Sequence, residues 1–103
     1  MAGLFDRING ADNINVHYIV AGLRGYGAGE WTRAAVLAGV NSLLDSPLIT
    51  GEQDDFAAIA DEMDAQSNTT SKLVYMAKVE AAMIAAESGV LAEAGWRTML
   101  GIA

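Results

Sequence analysis

The chain contains no cysteine, one proline and one histidine among its 103 residues. Without cysteine there is no disulfide framework, no thiol nucleophile and no sulfur-ligated metal. His17 stands without H-x-x-x-H or E-x-x-H spacing, so no metal site or general base is read from it. A half-buried or surface imidazole is the expectation. No apolar run reaches the roughly 18 residues that a membrane-spanning helix needs. The first ten residues carry Asp6 and Arg7 around a short apolar patch, which is not the pattern of a secretory signal. The expected location is therefore the cytoplasm or the inside of a virus particle, without secretion by a signal peptide. Asn68-Thr69-Thr70 matches a glycosylation acceptor, but its expected meaning is helix-start chemistry.

What is present is apolar and small. Hydrophobic residues make up 52% of the chain, while aromatics make up 7%. That content is enough to fold and is not that of a disordered chain. A chain this short has a thin margin of stability alone, so association with other chains would matter. The net charge of −7 has a location: Asp45 to Asp64 holds seven acids and no base, and the remainder is balanced. An acidic pole disfavours direct contact with nucleic acid or an anionic membrane.

Five segments read as helices, and together they predict an all-α fold, a small bundle of four to five helices with short connections. A single helical domain over residues 1–103 is expected, with residues 1–11 possibly a flexible N-terminal segment. The first helix is read over Asp12–Arg24, capped by Asp12 or Asn13, with Val16, Ile19, Val20 and Leu23 on one face. A strand over residues 14–20 is the alternative, because Val16, Tyr18 and Val20 also alternate. The second helix, Glu30–Leu44, runs from Ala34 to Val40 without a polar residue. A helix apolar all round needs cover on every side, either as the central helix or as part of a subunit interface. Ala35, Ala38 and Gly39 are flat enough for another backbone to approach. Gly39 costs about 1 kcal/mol of helix propensity relative to Ala, which implies a packing reason for it.

The third helix is read over Gly51–Ala65, with Thr50 and Gln53 forming a capping box and Phe56, Ile59, Ala60 and Met63 as its apolar stripe. Asp54, Asp55, Asp61 and Glu62 fall on the opposite side as a solvated face or a docking surface for a basic protein. No calcium-loop pattern is present. The fourth helix, Thr70–Ser88, places Leu73, Met76, Ala77, Met83 and Ile84 on one face, with Glu80 and Glu87 along the same side. Those carboxylates need a partner if buried, and Arg33 and Arg97 are the candidates by elimination. A glycosidase-like reading fails, since the two acids lie about 10 Å apart along one helix and no cleft of aromatics accompanies them. A short fifth helix, Ala92–Leu100, ends at Gly101.

The stretch Arg24–Trp31, RGYGAGEW, is the one motif that invites a functional reading. Its glycines at 25, 27 and 29 miss the G-x-G-x-x-G fingerprint, and Glu30 occupies the place of the third glycine. A phosphate would meet that charge. The expectation is a flexible or left-handed turn between helices, with Tyr26 and Trp31 as candidate contact residues for a partner.

These residues predict no catalytic constellation, cofactor or metal. The functional expectation is a non-enzymatic structural or interaction subunit of a larger assembly, with protein partners or self-association and neither nucleic acid nor membrane insertion. Small acidic helical chains of this type occur in virus particles, on phage capsids or at head–tail joints. Two alternatives stay open: a regulatory module docking a basic protein through residues 51–65, and phosphate or nucleotide binding at Gly25–Gly29.

Overall fold

The computed structural model describes residues 3–11 and 14–102. Among them it contains six helices and no strand: α1 (Leu4–Ile8), α2 (Ile14–Gly27), α3 (Arg33–Leu43), α4 (Thr50–Asp64), α5 (Thr69–Glu87) and α6 (Glu93–Leu100). The all-α architecture follows the periodicity of the sequence. Residues 14–20 are helical rather than extended, since Val16, Ile19 and Leu23 go into the core while His17, Ala21 and Arg24 face solvent. The proposed caps Asp12 and Asn13 lie outside the described residues.

Helix α2 is the hub and packs against α3, α4 and α5. The stripe expected on α4 is the buried one: Phe56, Ile59, Ala60 and Met63 are all inside. Helix α5 starts at Asn68, whose side chain accepts a hydrogen bond from the Ser71 amide at 2.8 Å. That satisfies one of the free donors at the helix start. Its other end is closed at Gly89 with φ +76°, and α6 ends likewise at Gly101.

Several expectations are corrected. Ahead of the first helix read from the sequence, Leu4–Ile8 forms a further one, α1, and Leu4, Phe5 and Ile8 are buried. The ring of Phe5 meets that of Trp96 with centroids 5.6 Å apart at 60°, a favourable tilted geometry. The cap of α4 sits one residue earlier than expected. Ile49 precedes the first helical residue, and its amide donates to Glu52 Oε1 at 2.9 Å, so Glu52 rather than Gln53 reaches back. Gln53 instead donates to the Leu48 carbonyl.

The inward face of α5 is also rotated from the expected one. Tyr75, Val79, Ala82, Met83 and Ala86 are buried, whereas Leu73 is 60% exposed and Ile84 47%. The helix is apolar around most of its circumference, so period alone leaves its phase open. Tyr75 resolves it, because burying a large ring is favourable once its hydroxyl is satisfied. That hydroxyl donates to the Leu100 carbonyl at 2.7 Å and ties α5 to the end of α6. Burial and the nearby charge of Glu62 push the Tyr75 pKa well above its ordinary value.

Helix α3 is peripheral rather than central. It rests chiefly on α2, burying Val36 and Val40, while Ala34, Ala35, Ala38 and Gly39 face outward. Alanine and glycine bury little apolar area, so the two valines win the contact.

Candidate interaction surface

The outward apolar surface is built where α3 crosses α2. Gly22 makes the crossing close: a Cβ there would lie 2.5 Å from Val40 Cγ2 and 3.2 Å from Val36 Cγ1. Thr32 caps α3, its hydroxyl accepting from the Ala35 amide at 3.2 Å. The two helices leave a groove of about 390 Å³ with Tyr18, Ala21 and Gly25 on one wall and Ala35, Gly39 and Leu43 on the other. Trp31 forms its rim and is 59% exposed; Leu43 is 57% exposed. Of the residues singled out from the sequence, the structure brings Trp31, Ala35 and Gly39 together here. Ala38 is exposed on the same helix.

Tyr26 is placed elsewhere. Its hydroxyl donates to Asp64 Oδ2 at 2.7 Å, and the Arg33 guanidinium lies over its ring, 5.4 Å from the centroid. Arg33 also donates to Asp61 and Asp64, each at 2.8 Å. Hydrogen bonds to Tyr26 and then Asp61 raise the Arg33 pKa further, so its charge is permanent. Tyr26 thus ties α2, α3 and α4 together at the surface.

The glycine-rich stretch is less of a loop than expected. Gly25 and Gly27 are the last helical glycines of α2, and the left-handed turn is made by Gly29, with φ +76°. Gly27 lies against two methionines, and a Cβ there would be 2.6 Å from Met76 Sδ. The amides of Ala28, Gly29 and Glu30 donate to the carbonyls of Arg24, Tyr26 and Gly25. A phosphate cradle needs free amides, and these are spent within the turn.

The acidic face of α4 is broken up. Asp55, expected outside, is buried at 8% exposure. It accepts from the Leu4 amide at 2.9 Å and from both terminal nitrogens of Arg97, at 3.1 and 3.0 Å. These bonds, with those to Glu93, raise the Arg97 pKa against the opposing effect of burial. Asp61 is held by Arg33 but stays exposed, as does Asp54, and Glu62 is half-buried beside Gly101. Glu52, one turn earlier, is buried with Arg7, which donates to it at 2.9 and 2.7 Å. Burial favours the protonated form of Glu52, but the bonds from Arg7 and the Ile49 amide outweigh it and lower the pKa.

Glu80 and Glu87 are half-buried rather than in the core. Arg24, not Arg33 or Arg97, meets Glu80, at 2.7 Å. The pairing was not legible because it joins positions 56 apart in sequence. His17 is exposed. Among the described residues, no three His, Cys, Asp or Glu side chains gather where they could hold one metal ion, and no helix is long and apolar enough to cross a membrane.

Fold and surface together define a small all-α protein with a firmly pinned interior and an apolar groove on its outside. No family model, curated protein or solved structure matches the chain.

Proposed function

We propose that the chain is a non-enzymatic structural subunit that works by associating with other protein chains, as a small component of a larger assembly such as a virus particle. The observation that carries this reading is the groove between α2 and α3, in which an exposed tryptophan and leucine flank a floor of alanine and glycine. An apolar concavity of this kind, rimmed by an aromatic anchor, is the usual chemistry of a protein contact. Helix α3 supports the same reading. Its solvent face has no charged residue between Arg33 and Asp45, which is costly to leave bare and inexpensive to cover.

The acidic-helix reading has less support, because Asp55 is turned inward and Asp61 is engaged by Arg33. Light scattering and native mass spectrometry test the proposal. The wild-type chain is expected to give a defined oligomer at micromolar concentration, and Ala35→Glu, which puts a charge in the groove, is expected to give monomer. A wild-type chain that stays monomeric throughout overturns the proposal.

A further inference from the structure

Beyond Met1, the methionines of the chain are Met63, Met76, Met83 and Met99. Met63 and Met83 are sealed in the core, at 1% and 0% exposure, and Met99 is 37% exposed near the end of α6. Met76 is half-buried where α2, α4 and α5 meet. A Cβ at Gly27 would lie 2.6 Å from Met76 Sδ and 3.2 Å from both Met76 Cε and Met63 Sδ. The two thioethers, one from α5 and one from α4, therefore fill the space that glycine leaves at the end of α2.

Two open clefts reach Met76. One, of about 370 Å³, lies between α2 and α5 beside Leu23, Arg24 and Glu80. The other, of about 500 Å³, runs between the Gly27–Gly29 turn and Gln66–Thr69, with Lys72 on its wall. Its polar lining admits water and small water-like solutes. Lys72 stands one turn before Met76 on the same face of α5. Among the described residues, its ammonium takes part in no ion pair.

A thioether in this position meets a hydroperoxide from the cleft. The sulfur lone pair attacks the peroxide oxygen, and the S–O bond forms as the O–O bond breaks. A proton passes to the departing oxygen, so hydrogen peroxide leaves as water while the sulfur is oxidised to the sulfoxide. The product is bulkier, polar and a hydrogen-bond acceptor. Gly27 and Met63 offer it no side-chain donor, and an unpaired polar group held there is costly. Lys72, across the polar cleft, is a donor.

We propose that Met76 is an oxidative modification site, and that its sulfoxide leaves Gly27 for Lys72 and loosens α5 from α2. Met63 and Met83 are closed to the oxidant, and an oxygen on Met99 can point into water. The inference does not depend on the assembly role.

The test treats the folded full-length protein with dilute hydrogen peroxide and locates the added oxygen by peptide mass spectrometry. Met76 and Met99 are expected to gain oxygen while Met63 and Met83 stay reduced. In a Met99→Leu chain, Tm is expected to fall by about 5–15 °C as Met76 is oxidised. The amides of Ala28, Gly29 and Glu30, bonded within the turn that follows α2, are expected to exchange faster with deuterium. A methionine sulfoxide reductase is expected to reverse both changes. Met76→Leu, a volume-conserving replacement without the sulfur, is expected to keep its Tm at the same peroxide dose. Lys72→Leu is expected to deepen the fall, because the sulfoxide loses its donor. A Met76 that stays reduced until the protein unfolds overturns the proposal, as does an oxidised Met76 with Tm and amide exchange unchanged. An equal fall in Lys72→Leu overturns the part given to Lys72.

Discussion

Asp55 and Arg97 meet through a two-pronged contact, Nη1 to Oδ1 at 3.1 Å and Nη2 to Oδ2 at 3.0 Å, across 42 positions of sequence. The pair joins α4 to α6, and Asp55 also accepts from the amide of Leu4 at the start of α1. Three chain segments therefore converge on one carboxylate. Replacing one member of a buried pair leaves the other charge uncompensated, at a cost of about 3 kcal/mol or more. Arg97→Met is expected to lose about that much, a fall in Tm of roughly 10–20 °C for a domain of this size. Glu93, the more exposed partner of Arg97, is the control, and Glu93→Gln is expected to change stability by less than about 1 kcal/mol. Thermal unfolding followed by circular dichroism measures both. A loss under about 1 kcal/mol for Arg97→Met would show that water already screens the pair.

The glycines of α2 and α3 are expected to respond in opposite ways to alanine. At Gly22 the new methyl would press on Val40 and Val36, whose β-branched side chains have little freedom to turn aside. Overpacking costs about 1–3 kcal/mol, which exceeds or cancels the gain in helix propensity of about 1 kcal/mol. Gly22→Ala is expected to be destabilising and to loosen α3. At Gly39 the methyl meets open space, so Gly39→Ala is expected to stabilise the monomer by up to about 1 kcal/mol. Urea midpoints measured in the Ala35→Glu background, where the proposed groove contact is removed, separate the two. In the assembling protein Gly39→Ala is expected to weaken association, since it narrows the groove.

Glu52 sets a pH dependence whose direction follows from its environment. Its pKa in the folded chain lies below the ordinary carboxylate value, because Arg7 and the Ile49 amide hold the charged form more strongly than burial opposes it. A lowered folded pKa contributes stability that is complete above the unfolded value of about 4.3 and is lost as pH falls through the folded one. The wild type is expected to lose stability below about pH 4.3 more steeply than Glu52→Gln, which cannot titrate there. Denaturant midpoints between pH 3 and 7 measure the difference. Parallel profiles for the two proteins would remove Glu52 as a source of acid sensitivity.

The two tryptophans report on different places. Trp96 is fully buried and Trp31 is 59% exposed at the groove. In a Trp31→Phe chain, fluorescence is expected to be protected from iodide at every concentration. In a Trp96→Phe chain, which isolates Trp31, quenching is expected to be strong when the protein is dilute and to fall as it associates. Quenching independent of concentration, in a chain that demonstrably oligomerises, would place the contact away from the groove.

Much of the local architecture was legible in the residues alone. The stripe Phe56, Ile59, Ala60, Met63 has one clear phase, flanked by acids, and it is the buried face. The polar run Gln66–Thr70 and the glycines at 89 and 101 mark helix ends through local hydrogen bonding and backbone freedom, which depend on few neighbours. The concentration of charge in residues 45–64 needs no structure at all. Of the candidate surface, Trp31, Ala35 and Gly39 could be picked out, because a bare tryptophan and a run of small residues are visible in one dimension.

Other features arose only in three dimensions. Helices α3 and α5 are apolar around most of their circumference, so nothing in their period says which side turns inward; the valines of α3 and the hydroxyl of Tyr75 settle it through contacts with α2 and α6. The short α1 is too brief to form by its own propensity and exists because Leu4, Phe5 and Ile8 find a core to enter. Glu52 lies 45 positions from Arg7, Glu80 lies 56 from Arg24 and Asp55 lies 42 from Arg97. Charge and type limit such pairings, but proximity selects among them, and proximity is a property of the packed chain.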